Sequence, residues 1–508
     1  MTVPPPKGSI RDWIDRRASE APDMVSHIFA DEGGACLTWA ELRGAVRGIS
    51  ERLAGLGVEK GESVAICLPN GRMGVTTLFG ALYGGYRATP LNLAAGAAAM
   101  GYAIGHSRAR FAFVGMAQSE MFAQALATEK SEISVISVEA EIQWPSEAGV
   151  AALPDVFPDD HALLMYTSGT TGRPKGVVHD QASLLAGGWT PAIAHKLTPD
   201  DRALCVLPFF HINGLCVTLM GPLVSGGSVI VAEKFSLSRF WEQCHTYEAT
   251  WFSVVPTIIS HLLHGPDGPD ETTRARLRFA RSASAPLAVE VQSGFEERFD
   301  IPIVETMGLT ETAAQMLSNP LPPGLRKIGS PGVAIGNETT ILVDGVEASA
   351  MQPGEIAVRG PNVMKEYLFN PEATAETFTS DGWLLTGDLG MMDNDGYVFV
   401  TGRRKELIIK GGENIAPREI DEALYRHKDV VEAAAFARPC TTYGQRVEAA
   451  VRLSEGANVS EADLIALCVA QVGKFKAPEH VYMLPELPKG PSGKIQRLKL
   501  AELLLEIA

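Results

Sequence analysis

The chain predicts an α/β fold with much parallel sheet, and three observations carry that expectation. Helical patterns such as Trp39 to Leu56 alternate with short apolar runs such as Ser63 to Leu68. The apolar runs end in turns rich in Gly, Pro or Ser, the places where ligand-binding loops gather in parallel sheets. Hydrophobic residues make up 46% and charged residues 20% of the 508. At about 150 residues per domain, that composition supplies cores for two to four compact units.

The alternation continues through His161 to Tyr166, Ala203 to Leu207, Ser228 to Ala232, Trp251 to Val255 and Leu277 to Ser282, each read as a strand. Near residue 354 the pattern becomes strand-rich, with GEIAVRG and then DGYVFVTGR, and predicts a small antiparallel, β-barrel-like unit. After Arg403 come a helix over Pro417 to Arg426, strands over Val430 to Ala437 and Val447 to Leu453, a helix over Glu461 to Val472 and a strand over His480 to Leu484. This stretch is the size of an independent α+β domain. The segment from Gln118 to Val150 carries no readable pattern. Ala88 to Ile104 reads as a buried helix rather than a membrane span, because Asn92 and the glycines dilute its hydrophobicity.

Lys plus Arg total 44 against 60 Asp plus Glu, a net charge of -16 that repels phosphate backbones and anionic lipid headgroups. Nucleic acid and membrane surfaces are therefore not expected partners, although a local basic cluster can still hold a small anion. The seven cysteines (Cys36, Cys67, Cys205, Cys216, Cys244, Cys440 and Cys468) are scattered and form no pair at metal-ligand spacing. With no apolar signal core in MTVPPPKGSIRDWIDRR and no peroxisomal address in LLLEIA, a cytoplasmic, reducing setting is expected. Oligomeric state is left open, a homodimer included.

The strongest local signal is Tyr166-Thr-Ser-Gly-Thr-Thr-Gly-Arg-Pro-Lys-Gly176, directly after an apolar strand. Gly169, Gly172 and Gly176 let the backbone approach a ligand, while Thr167, Ser168, Thr170, Thr171 and Lys175 offer donors to phosphate oxygens. It is not a Walker loop, since no Gly-Lys-Ser/Thr triplet closes a Gly-x4 spacer. The run resembles the phosphate loop of the AMP-forming adenylating enzymes, which comprise acyl-CoA synthetases, peptide-synthetase adenylation domains and firefly luciferase. PFFHINGL (208 to 215), SASAPL (282 to 287), MGLTE (307 to 311), TGD (386 to 388), GRRKELIIKGGENIAPREI (402 to 420) and PKGPSGKIQR (488 to 497) follow in that family's order.

The resemblance implies two domains, a large AMP-binding one over 1–404 and a small mobile one over 405–508, hinged near Lys405. It also implies ATP and Mg²⁺ as cofactors and coenzyme A as co-substrate. The loop residues Thr167, Ser168, Gly169, Thr170, Thr171 and Lys175 would hold the β and γ phosphates. Glu311 would bind Mg²⁺, Thr310 the α-phosphate, Asp388 and Arg403 the ribose, and Ser284, Ala285 and Thr306 the rest of the nucleotide. Lys494 would enter from the small domain to stabilise the α-phosphate during adenylation. The loop Lys410, Gly411 and Gly412 would face the thiol after the small domain rotates. Met307 stands where the family usually carries an aromatic ring against adenine, and Gly490 where it usually carries Thr.

The acid is the least determined element. By resemblance His211 and Asn213 line the acyl pocket, with His211 near the carboxylate, and Trp251 lies in a segment that forms a pocket wall, although as bare sequence Trp251 reads as core. Arg281 ends an apolar strand face, so it is either half of a structural ion pair or the counter-charge for a second anionic group on a short acid. RFARSASAPL and the run from Gln315 to Lys327 look similar to the oxalate–CoA ligase branch, which favours the second reading and an acid of the oxalate, malonate or sulfoacetate type. A short or medium-chain fatty acid, an aryl acid, or delivery to a carrier protein remain alternatives with the same motifs. A luciferase-like oxygenase would reveal itself by light or oxygen consumption. A non-catalytic relative should have lost Glu311 or Lys494, and both are present.

Overall fold

The computed structural model describes residues 4–129, 132–167, 174–490 and 494–505. Two large sheets form the body of the chain. In one, the parallel strands Val25–Phe29, Ser228–Val231, Arg202–Cys205, Trp251–Val254, Phe279–Ser282 and Ile303–Leu309 lie side by side, with antiparallel strands at both edges. In the other, His161–Thr167, Arg87–Pro90, Ser63–Cys67, Phe111–Gly115 and Ser134–Val138 run parallel. Lys175–Asp180 returns antiparallel beside His161–Thr167.

Helices Ile10–Glu20, Trp39–Gly55 and Arg72–Gly84 fill the space between the two sheets. One core joins Ile14, Leu42 and Phe79 from these helices to Val64, Ile66 and Phe113 of one sheet and Ala203, Val229 and Phe279 of the other. The outer faces are covered separately: Phe252 and Val254 meet Ile259 and Phe295, and Ala65 and Ala112 meet Ile104 and Phe122. The central strands of both sheets are thus buried on both faces, which is why they read as continuous apolar runs rather than alternating ones. Thr38 starts Trp39–Gly55 with a capping box: its hydroxyl accepts from the Glu41 amide at 3.2 Å, and the Glu41 carboxylate accepts from the Thr38 amide at 2.8 Å.

The strand-rich unit is a five-stranded antiparallel sheet of Glu338–Val343, Val346–Glu347, Gly354–Arg359, Leu384–Met392 and Val398–Arg403. The chain then crosses into a smaller α+β domain. There Val430–Cys440 and Gly444–Leu453 pair antiparallel, Val481–Met483 adds in parallel, and Ile408–Lys410 and Glu413–Ile415 form a hairpin. Pro417–Tyr425 and Glu461–Lys476 pack on this sheet through Ile420, Leu424, Leu464 and Cys468.

Two sequence expectations are corrected. Ala88 to Ile104 is not one helix: it splits into the buried strand Arg87–Pro90 and the helix Ala97–Ser107, because Pro90 and the turn at Asn92 break the run. The unreadable segment from Gln118 holds the helix Ser119–Glu129 and the strand Ser134–Val138. Its apolar signal is weak because the strand buries only Ile136 and Val138. Among the described residues no helix is long and apolar enough to cross a membrane.

Candidate active site

The expected ligand-binding turns converge at the carboxyl ends of parallel strands. Thr167 ends one strand, Val255 and Ser284 follow Trp251–Val254 and Phe279–Ser282, and Thr310 and Glu311 follow Ile303–Leu309. The principal cleft is lined by Thr257, Ser284, Ala285, Thr306, Met307, Asp388 and Arg403 of the large domain, and by Arg418, Asp421, Lys494 and Arg497 of the small one. Gly308 is required in this wall, since a Cβ there would sit 1.3 Å from the Ala314 carbonyl oxygen. Ser168, Gly169, Thr170 and Thr171 lie outside the described residues.

Three polar clusters border the cleft. In the first, Arg403 Nε donates to Asp388 Oδ1 at 2.8 Å across paired strands; Asp388 is buried, and its charge raises the Arg403 pKa. The Lys494 ammonium shares this cluster. Burial, then Arg403, pull its pKa down to about 8, while Asp388, Glu406 and Glu311 act in the opposite direction.

The second cluster surrounds Glu311. Its Oε1 accepts from the Tyr367 hydroxyl at 2.8 Å, and the Lys175 ammonium lies 4.4 Å from the centroid of the same tyrosine ring. The turn itself is held by fully buried His179, whose Nε2 donates to the Thr310 carbonyl at 2.7 Å. Burial lowers the His179 pKa to about 4, so the ring is neutral, and the carbonyl fixes its proton on Nε2. A carboxylate placed here, with the Lys175 ammonium on the far side of Tyr367, is of the kind that suits Mg²⁺, which binds through one or two carboxylates plus substrate phosphates.

The third cluster lies behind the cleft wall. Arg281 is 1% exposed, and its Nη1 donates to Asn213 Oδ1 at 2.8 Å and to Ser253 Oγ at 2.9 Å. Its Nε donates to Gln315 Oε1 at 3.2 Å. Asn213 begins a π-helical stretch, Asn213–Met220, and its Nδ2 donates to Ser284 Oγ at 3.3 Å, which links the network to the cleft. Among the described residues no carboxylate forms an ion pair with Arg281. Burial lowers its pKa to about 9. The neighbouring His195 is depressed by burial and then by Arg281, while burial raises the Cys216 thiol, so both neighbours are neutral. A buried guanidinium without a counter-ion is costly, and the structural ion pair is the reading this geometry removes.

The AMP-binding enzyme family matches residues 14–368, and the C-terminal domain of AMP-binding enzymes matches residues 419–494. The chain belongs to the AMP-binding enzymes. Among its relatives, the sulfoacetate–CoA ligase of Cupriavidus necator is 44% identical over 490 residues, 95% of this chain and 96% of that protein. The oxalate–CoA ligase of Arabidopsis thaliana is 37% identical over 506 residues, covering 97% and 98%. The ATP-bound structure of MatB from Rhodopseudomonas palustris, 30% identical, superposes with a TM-score of 0.89 over 98% of this chain and 99% of its own. The apo form of MatB gives 0.78 with the same coverage, so the present arrangement of this AMP-binding enzyme is nearer the ATP-bound one.

The structure separates the predicted site residues into groups. Ser284, Ala285, Thr306, Asp388, Arg403 and Lys494 line one cleft, Thr310 and Glu311 follow the strand that carries Thr306, and Asn213 meets Arg281. His211 stands on the loop before Asn213 with the Phe210 ring 5.0 Å away. Trp251 is corrected from pocket wall to core: it is 1% exposed and stacks on Phe279 at 5.5 Å, because its strand turns it inward between the sheets. Lys410 lies away from the cleft in this arrangement, the one before the small domain would rotate. Its ammonium donates to the Phe475 carbonyl at 3.0 Å, and Gly411 and Gly412, at φ 60° and 87°, make the tight hairpin turn that only glycine tolerates well. Sequence reasoning passed over Tyr367, His179, Ser253 and Gln315, which touch the site only through other side chains. It also passed over Glu305, a buried acid on the cleft wall that burial holds toward its neutral form.

Proposed function

We propose that this protein is an AMP-forming acid–CoA ligase for a small, doubly anionic acid of the oxalate, malonate or sulfoacetate type. The carboxylate attacks the α-phosphorus of ATP, pyrophosphate leaves, and the CoA thiolate then displaces AMP to give the acyl-CoA. The observation that carries the substrate reading is Arg281, a buried cation whose hydrogen-bond network reaches the cleft through Asn213 and Ser284 without meeting a carboxylate among the described residues. The relatives named for sulfoacetate and oxalate act on acids of this kind.

On this reading the chemistry is mostly electrostatic, since both reactants are anions and the transition state concentrates charge at the α-phosphorus. Thr167, Ser168, Gly169, Thr170, Thr171 and Lys175 hold the β and γ phosphates, and Thr310 the α-phosphate. Glu311 would hold Mg²⁺, which when bound would supply charge neutralisation at the phosphate oxygens. Asp388 accepts from the ribose hydroxyls while Arg403 orients it, and Met307 packs against adenine through its thioether. Lys494 faces the α-phosphate, and His211 stands near the acid's carboxylate. A cytoplasmic setting goes with this reading, because all seven cysteines are free thiols.

The test is a panel of oxalate, malonate, sulfoacetate, acetate, butyrate and benzoate, assayed for pyrophosphate release and then for CoA-dependent AMP release. Preference for the three dianions is expected, and a preference for butyrate or benzoate would overturn the substrate reading. An acyl group accepted by a phosphopantetheinylated carrier but not by free CoA would overturn the ligase reading.

The two steps need different surfaces in one cleft, so the small domain must turn between them. The turn after Val398–Arg403 is the place for it. Lys405 is exposed there, and the amides of Arg404 and Glu406 bond to the Gly387 and Arg403 carbonyls. Lys405→Pro restricts the backbone at 404 and 405. Pyrophosphate release should stay near wild type while thioester formation slows about tenfold or more. Parallel loss of both rates would argue against a hinge at this position.

A further inference from the structure

Away from the nucleotide, the two domains meet at a buried carboxylate. Glu432, on the small domain's strand Val430–Cys440, has a side chain 0% exposed. Its Oε1 receives His261 Nε2 at 3.0 Å, Lys489 Nζ at 2.8 Å and Arg452 at 3.4 Å. Burial would raise its pKa, but hydrogen bonds from His261 and Lys489, with the charges of Lys489 and Arg452, hold it at about 2. It is therefore a fixed anion shared by three donors.

The three donors come from different parts of the molecule. Arg452 belongs to the neighbouring strand of the small domain. Lys489 starts the hairpin that carries Lys494: Lys489 bridges to Ile495, the Gly490 amide donates to the Lys494 carbonyl at 2.7 Å, and the Gln496 amide to the Pro488 carbonyl at 2.8 Å. His261 alone comes from the large domain, on the helix Pro256–His264, whose first turn lines the cleft. One position earlier on that helix, Ser260 Oγ donates to the Val431 carbonyl at 2.7 Å. If the small domain turns about residue 405, the Glu432 bonds to Lys489 and Arg452 travel with it, and those of His261 and Ser260 break.

We propose that His261, through Glu432, is a positioning residue for the adenylation step: it is the large domain's half of a latch that holds the Lys494 hairpin in the cleft. The inference rests on the two-step ligase reading. The latch should favour adenylation and not be needed for thioester formation, since the turn breaks it and His261 is not among the described residues that line the cleft.

The experiment measures both half-reactions of the full chain separately. The first is ATP–pyrophosphate exchange with whichever of oxalate, malonate or sulfoacetate the wild type activates. The second is thioester formation from CoA and the supplied acyl-adenylate of that acid. His261→Leu should lower the exchange kcat about tenfold, the scale of one lost hydrogen bond to a buried charge, with KM for ATP kept within about twofold and the thioester rate not reduced. His261→Gln, which retains a nitrogen donor, should recover exchange to within about threefold of wild type. Equal loss in both half-reactions, no loss in either, or a Gln variant as impaired as Leu would overturn the latch. A wild-type protein that performs neither half-reaction with any of the acids would overturn the ligase reading, and the latch with it.

Discussion

Lys494→Ala is expected to lower pyrophosphate release about 10²–10³-fold, the usual cost of removing one preorganised donor from a developing charge. Thioester formation from supplied acyl-adenylate should remain within about threefold of wild type, because α-phosphate attack is already complete. A comparable fall in both steps would mean that Lys494 serves the fold or the nucleotide rather than the first transition state. The same residue sets a pH limb. Its ammonium is needed in the charged form, and its pKa is depressed to about 8 by burial and Arg403. Adenylation measured as kcat/KM for ATP, which reports the free enzyme, should therefore hold below pH 8 and fall as pH rises through it. Bound ATP adds negative charge beside the ammonium and raises its pKa, so the limb in kcat should lie higher. A kcat/KM profile flat to pH 10 would contradict this placement of Lys494.

Arg281→Met tests the substrate pocket, with an effect of similar size. Methionine fills much of the volume, and the Ser253 hydroxyl keeps its 3.1 Å bond to Asn213 Oδ1. Relief of a buried cation is set against the Gln315 Oε1 acceptor that loses its donor, so the melting temperature should change little. kcat/KM for oxalate, malonate or sulfoacetate should fall about a hundredfold, close to 3 kcal/mol for a lost charged interaction. The value for acetate should change little or improve. A lower melting temperature with equal loss on monoanions and dianions would make Arg281 structural.

These two residues were not equally legible. Lys494 stands in PKGPSGKIQR, and order along the chain was enough to single it out. Arg281 was visible as a cation on an apolar strand face, but whether a carboxylate faced it was not. That depends on Asn213, Ser253 and Gln315, which lie 68, 28 and 34 residues away along the chain. Trp251 shows the opposite failure. It lies in a segment that suggested a pocket wall, yet the strand's alternation turns its ring inward onto Phe279.

The sequence by itself determined the α/β class, the family through its motifs in their order, and the existence of a small C-terminal domain. All of these are local patterns, written in periodicity or in runs of about ten residues. Only the tertiary structure decided that Arg281 meets Asn213, Ser253 and Gln315 rather than a carboxylate among the described residues, that Tyr367 bridges Lys175 and Glu311, and that His261 reaches Glu432 across the domain boundary. Each of these joins residues on different elements, and which side chains meet there depends on how sheets and domains pack, which no local pattern encodes.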